Sequence, residues 1–302
     1  MATVLIGGAS GFIGSELARS FAADGHRVAQ LARPQTRSDG QAVAWDPEQR
    51  SIDASALSEL RPDIVVNLAG ARIDIRWTKQ RKRRIYDSRV RSTELLSNAL
   101  AKLERRPAVL VNASAIGYYG IDRGDEILTE ASPPGSDFFA TMAANWEGAT
   151  TPATQAGIRV VTLRTGIVMG QASGTMNRLL LPFRLGLGAR MGSGRQWMSW
   201  IALDDEVRAI RFLAERPGLS GPVNLVGPDP VRNIEFTRAF GAALDRPAFL
   251  WLPAIALELV FGEMATHTIL ASQRVVPQRL AGAGFEFLHP RLEEALRFEL
   301  RR

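Results

Sequence analysis

The sequence predicts an α/β protein: a doubly wound parallel sheet followed by a smaller C-terminal lobe. Three observations predict it. Through the first 165 of the 302 residues, short and almost uninterrupted apolar runs alternate with longer segments of helical period. A glycine-rich turn directly follows the first of those runs. After about Thr165 the alternation gives way to a Gly-, Leu- and Arg-rich stretch and then to separate helices. Strands that are apolar on both sides belong in a sheet covered on both faces, and the helical crossovers between parallel strands supply that cover.

Taken in order, 3–7 (TVLIG) is the first strand, and 15–23 carries apolar residues at helical spacing up to Asp24-Gly25, where glycine accepts the left-handed cap. Residues 26–32 and 42–45 form the second and third strands, and 63–68 (DIVVNL) the fourth. A basic helix is expected over 78–103, a fifth strand over 108–114, a helix over 137–156 and a sixth strand over 159–164. This defines a nucleotide-binding domain over 1–165 and a substrate lobe over 166–302. The run 223–226 is a candidate to return to the sheet, and helices are expected near 233–244, 254–264 and 290–300. Asp204-Asp205 reads as the cap of a helix over 206–215.

Composition removes several function classes. With no cysteine there is no disulfide, thiolate nucleophile or Cys-ligated metal, and the three histidines (His26, His267, His289) are scattered, so no metal site is expected. No apolar run reaches the roughly 18 residues of a membrane span; the best, 249–261, is broken by Pro253 and Glu258. The first residues lack the basic segment and apolar core of a secretory signal, so a cytoplasmic location follows. The formal charge of +6 is carried almost wholly by arginine, which favours anionic ligands. The basic run 81–84 would spread around a helix and has no interleaved aromatics, so no nucleic-acid partner is expected.

The sharpest motif is Gly8-Ala9-Ser10-Gly11-Phe12-Ile13-Gly14, a G-x-x-G-x-x-G between a strand and a helix. Its glycines allow the tight turn, the approach of backbone to a pyrophosphate and the close packing of helix on sheet; the diphosphate then sits at the helix N-terminus. A site for NAD usually has an acid at the end of the second strand, to accept from the ribose 2′-hydroxyl. Here the chain reads Leu31-Ala32-Arg33-Pro34 with Arg37 nearby, so a guanidinium stands where a 2′-phosphate would want one, and the expected cofactor is NADP(H). Trp45-Asp46 closes the third strand beside the adenine position, and Leu68-Ala69-Gly70 closes the fourth with small residues that let the chain pass under the cofactor.

These residues, together with 113–120 (ASAIGYYG), Asp137-Phe138-Phe139-Ala140, Trp146-Glu147 and 192–201 (GSGRQWMSWI), resemble the extended short-chain dehydrogenase/reductases. More narrowly they resemble the atypical branch described as nucleoside-diphosphate-sugar epimerase-like or NADP-dependent oxidoreductase. The resemblance spans nearly the whole chain and implies a Rossmann-type NADP-binding domain with a small substrate lobe. It also implies that Arg84 to Arg89 runs beside the cofactor, with one or two of these arginines on its phosphates, and that Val168 lines the nicotinamide. The usual acid–base pair of the superfamily, Tyr-x-x-x-Lys, is missing. Its positions fall on Phe139 and Ala143, and the superfamily's Ser/Thr falls on Ala115, with Ser114 beside it.

Two readings follow. In one, the protein is an NADP(H)-dependent oxidoreductase acting on a small carbonyl or hydroxyl compound, with Ser114, Tyr118 or Tyr119 supplying the proton. In the other it binds NADPH without turnover, as a sensor or scaffold. Epimerisation of a sugar nucleotide needs the same missing tyrosine. Trp197, Ser199 and Trp200, with Arg195 as an anion anchor, could wall a substrate or simply pack the lobes. The protein is expected to be a monomer or homodimer.

Overall fold

The computed structural model describes residues 1–33, 41–170 and 174–301. Eight strands form one sheet: β1 (Thr3–Gly7), β2 (Arg27–Ala32), β3 (Ala42–Asp46), β4 (Ser51–Ile52), β5 (Ile64–Asn67), β6 (Val109–Ala115), β7 (Arg159–Thr165) and β8 (Gly221–Leu225). Their order is β8-β7-β6-β5-β1-β2-β3-β4, and every pair is parallel except the short β3–β4 hairpin. The chain first builds outward from β1 to β3 and then returns to the other side of β1. The direction of winding therefore reverses between β1 and β5, and ligands of such sheets bind at the carboxyl ends of the strands beside that reversal.

Successive side chains of β1 enter opposite layers, as a strand requires. Val4 and Ile6 join Leu17 and Phe21 of α1 (Phe12–Ala23), and further along the chain Ile210 and Leu213 of the helix over Leu203–Glu215. Leu5 joins Leu57 and Leu60 of α2 (Ala54–Leu60) and Leu96 and Leu100 of α3 (Lys79–Ala101). Two full layers of helix thus enclose the sheet, which is why its central strands read as continuous apolar runs.

The helix expected over 137–156 is two helices, α4 (Phe138–Gly148) and α5 (Thr151–Gln155), because Pro152 is accepted only in the first turn of a new helix. The Gly-rich stretch after β7 contains α6 (Gly174–Arg184), which the sequence did not announce. It is followed by α7 (Leu203–Glu215), α8 (Asn233–Ala243), α9 (Ala254–Phe261), α10 (Gln278–Gly282) and α11 (Leu292–Arg301). Residue 223 and its neighbours do return to the sheet, as β8 beside β7. Beyond it, Met169, Met176, Phe183, Trp200, Phe236, Phe240 and Leu296 make a separate apolar core.

Asp204 and Asp205 are not the cap of α7: the cap position is Ala202, and both acids lie within the first turn. Asp205 is fully buried and accepts from the backbone N–H groups of Leu288 (2.8 Å) and His289 (2.9 Å), which moors the segment leading into α11.

Candidate active site

The carboxyl end of β1 is shaped by backbone alone. Gly8 adopts φ +80°, and a Cβ there would lie 2.9 Å from the Leu68 carbonyl of the neighbouring strand end. A Cβ on Gly14 would lie 2.1 Å from the Gly8 carbonyl oxygen, so the turn and the first helical turn touch with no space for a methyl group. Gly11 holds the N-cap of α1, with no side-chain cap and no acid in the first turn. The opening N–H groups of Phe12, Ile13 and Gly14 therefore have no intrahelical partner and form the positive end of the helix dipole. Ser10 is exposed at this turn, while the Phe12 ring turns inward to Gly170 and Leu203.

A second positive element lies against the loop that leaves β5. The loop after β5 is stapled to α3: Ala71 N–H donates to Ser88 Oγ (2.9 Å), and Arg89 Nη1 donates to the carbonyls of Ala71 (3.0 Å) and Ile85 (3.3 Å). The Arg89 guanidinium lies under Gly70, 3.2 Å from where a Cβ would stand, and over the Trp146 ring. Among the described residues no carboxylate pairs with it, and burial pulls its pKa down to about 10. It is still a cation at neutral pH, and an anion beside it would relieve an uncompensated charge. Arg84, a turn earlier on α3, is exposed.

At the end of β2, Arg33 is exposed and lies 3.4 Å from Glu48, while Ala32 is partly buried. Residues 34–40, Arg37 among them, fall outside the described residues. Trp45 is 5% exposed and packed with Leu31, Val43 and Leu57, so its ring belongs to the core rather than to an adenine face. Asp46 accepts from the N–H groups of Glu48 and Gln49 and shapes the hairpin turn.

Under the same edge lies a polar network that the sequence reading missed. Asn67 Nδ2 donates to Asn112 Oδ1 (2.8 Å) and Thr93 Oγ1 (3.1 Å); Thr93 donates in turn to Asn112 and accepts from Trp146 Nε1 (2.9 Å). All three polar side chains are fully buried, and together they lock β5, β6, α3 and α4. The available signal was an asparagine at the same place near the end of two apolar strands, DIVVN and VLVN.

The ends of β6 and β7 are occupied by a second network. Ser114 Oγ donates to Glu147 Oε1 (2.8 Å), and Arg164 binds both Glu147 oxygens through Nε (2.8 Å) and Nη2 (2.9 Å). Burial opposes the Arg164 charge, but the two-point contact with Glu147 holds its pKa above the ordinary guanidinium range. Arg164 also donates to the Tyr119 hydroxyl (3.1 Å), which donates to Asn224 Oδ1 (2.6 Å), and its guanidinium stacks 3.5 Å from the centre of the Tyr118 ring. Burial pushes the Tyr119 phenol up, against the pull of Arg164. Ser114 and Tyr119 are thus buried with their hydroxyls engaged, where the sequence suggested groups open to a substrate; Tyr118 keeps partial exposure.

The positions of the missing Tyr-x-x-x-Lys pair are apolar. Phe139 stacks on Trp77 (centroids 4.8 Å apart) and Ala143 is fully buried. Val168, on the short strand Ile167–Met169, is only partly buried and packs on the main core. Trp200 and Ser199 are buried, Ser199 Oγ donating to the Gln273 carbonyl, and Trp197 Nε1 donates to Asp125. Trp197 thus reaches a residue of the first domain, whereas the contacts of Trp200 and Ser199 lie within the second lobe. Among the described residues no cluster of three or more His, Asp or Glu side chains could hold a metal, and no helix is long and apolar enough to cross a membrane.

A reversing parallel sheet whose carboxyl edge opens, through a glycine turn, onto an uncapped helix start defines a Rossmann-type fold with a nucleotide-type site. The comparisons with known proteins narrow that class. The model of the NAD dependent epimerase/dehydratase family matches residues 4–226, and a domain of unknown function matches 252–299. An epimerase family protein of Mycobacterium bovis is 46% identical, with 98% of this chain and 96% of the relative covered. A chloroplastic epimerase family protein of Arabidopsis thaliana, described as an SDR39U1 homolog, is 36% identical over 98% of this chain and 86% of its own. The crystal structure of human epimerase family protein SDR39U1 with NADPH superposes with a TM-score of 0.89 at 33% identity, covering 99% of each chain. This chain belongs to the NAD dependent epimerase/dehydratase family, in its atypical, SDR39U1-like branch.

Proposed function

We propose that the protein binds NADP(H) and catalyses hydride exchange with a small carbonyl or hydroxyl compound, in the cytosol, as a monomer or homodimer and without nucleic acid. The observation that carries the reading is the bare start of α1 behind Gly8 together with the uncompensated Arg89, the 68–70 segment touching Gly8 at one end and Arg89 at the other. A diphosphate satisfies both. The N–H groups of residues 12–14 would hold one phosphate, Ser10 would border it, and Leu68, Ala69 and Gly70 would pass beneath the dinucleotide. Arg33 would meet the 2′-phosphate, and Val168 would border the nicotinamide. The NADPH in the structure of the 33%-identical human relative supports the choice of cofactor. When bound, that cofactor supplies or accepts the hydride.

Sugar-nucleotide epimerisation fits less well, because the position of its acid–base tyrosine holds Phe139. A second reading, a coenzyme-binding protein without turnover, draws support from the engaged hydroxyls of Ser114 and Tyr119.

Calorimetry should register tighter binding of NADPH than of NADH. Arg33→Ser should weaken NADPH about tenfold, roughly 1.4 kcal/mol, and leave NADH unchanged. NADPH oxidation against quinones, aldehydes and ketones separates the two readings: turnover selects the enzyme, and binding with no turnover selects the sensor.

A further inference from the structure

Hydride exchange with a carbonyl needs a proton at the carbonyl oxygen. The hydroxyls of Ser114 and Tyr119, at the ends of β6 and β7, are engaged in the interior, and the partly exposed Tyr118 has its ring stacked against Arg164. Of the three histidines, His26 packs on Phe21 and His289 on Phe298. His267 alone stands over the loops that leave β5 and β6. Its ring centre lies 5.4 Å from that of Trp77, in the loop after β5, and 6.3 Å from that of Phe139. Phe139 in turn abuts Gly117, just beyond β6. His267 sits on a single turn of π-helix, Ala265–Ile269, a local geometry often found at functional sites. That turn is held by contacts from the β5–α3 segment: Lys82 pairs with Glu263, and Arg76 Nη1 donates to the Leu259 carbonyl (3.2 Å).

We propose that His267 is the catalytic acid–base group of this site, an inference that rests on the oxidoreductase reading above. Its Nδ1 lies 2.9 Å from the Glu263 carbonyl oxygen. A carbonyl only accepts, so Nδ1 carries a proton in either charge state and Nε2 is the atom left to exchange one. In the reducing direction the carbonyl carbon gains the hydride, its oxygen takes the proton from Nε2 of the imidazolium as the C=O π bond becomes an O–H bond, and the neutral ring is reprotonated from water. In the oxidising direction Nε2 takes the hydroxyl proton. Beside the ring lies one apolar and largely aromatic cluster, in which Trp77, Phe139 and Met264 are buried and Phe138 is partly exposed. With Phe138 and the His267 ring as the partly exposed edge of that cluster, the substrate class that suits it is a carbonyl compound on a flat, apolar or aromatic body rather than a sugar.

Three probes test this: 2-naphthaldehyde, acetophenone and menadione. In ¹⁵N-histidine spectra of the full chain, neutral His267 should carry its proton on Nδ1, and at least one probe should shift its imidazole signals while leaving those of His26 and His289 in place. With a reactive probe, His267→Asn, whose amide still donates to the Glu263 carbonyl, should lose about 100-fold or more in kcat, with NADPH affinity within twofold of the parent. Added imidazole should restore part of the activity of His267→Ala. An Asn variant that turns over like the parent, or a His267 signal unmoved by all three probes, overturns the assignment and leaves the oxidoreductase reading standing. A parent that binds NADPH but oxidises it with none of the probes overturns both.

Discussion

Two regions of the sheet's carboxyl edge are built in opposite ways. At β1 the surface is backbone, with a glycine turn, an uncapped helix and no side chain to satisfy its donors. At β6 and β7 the surface is side chains that satisfy one another, Ser114 to Glu147 to Arg164 to Tyr119 to Asn224. The first region keeps unmet hydrogen-bonding capacity for a ligand; the second has used its capacity to fix the strand ends. Polar residues near a site therefore mark chemistry only where their polar atoms are still free.

The contrast predicts where damage should be structural and where it should be functional. The largest loss is expected from Glu147→Gln. Removing the carboxylate leaves Arg164, 3% exposed, as a buried cation without its partner, a change that costs about 4 kcal/mol in comparable sites. Denaturant unfolding should record that loss, while the folded fraction still binds NADPH. If the variant is as stable as the parent, the network does not fix the strands.

Gly14→Ala comes next. Its methyl would meet the Gly8 carbonyl, so the start of α1 must move, at a cost of about 3 kcal/mol. Here nucleotide binding should fall at least 100-fold by calorimetry even where the chain is folded. Retained affinity would remove the cradle from the account.

A pH-dependent effect sharpens the comparison within the second region. Glu206 is buried at the end of β7, more deeply than the partly buried Glu147, and its contact is the Thr165 hydroxyl (3.0 Å) rather than a guanidinium. Burial accordingly pushes its pKa up to about 8. The folded chain then holds a proton that the unfolded chain releases near pH 4.5, so this group's contribution is complete at low pH and is lost as pH rises through about 8. Glu206→Gln should match the parent near pH 5 and exceed it by about 4 kcal/mol at pH 9. Parallel stability profiles across that range would show that Glu206 ionises normally.

The sheet was legible because its strands are buried on both faces and so must be apolar along their whole length; the 4–7 segment of β1 and all of β5 have no exposed position. The glycine turn was legible because each glycine answers a local steric demand. Other elements left little trace. The strand Asp122–Leu128 buries only its last residue and reads as a polar loop, and α6 carries Pro182 in its interior. The buried networks were hidden for a different reason: Asn67 meets Asn112 across 45 positions of sequence, and Tyr119 meets Asn224 across 105. His267 likewise gains its surroundings from residues 77 and 139. Sequence periodicity reports which layer a residue enters, not whose polar atom it will find there.

The contact of Gly14 with the Gly8 carbonyl, which leaves no room for a Cβ, has an evolutionary corollary. Two segments that meet carbon to oxygen cannot drift independently, so any lineage that retains this corner retains its whole outline. Adaptation to a different coenzyme would then have to be written at the rim, around position 33, where a new side chain displaces only water.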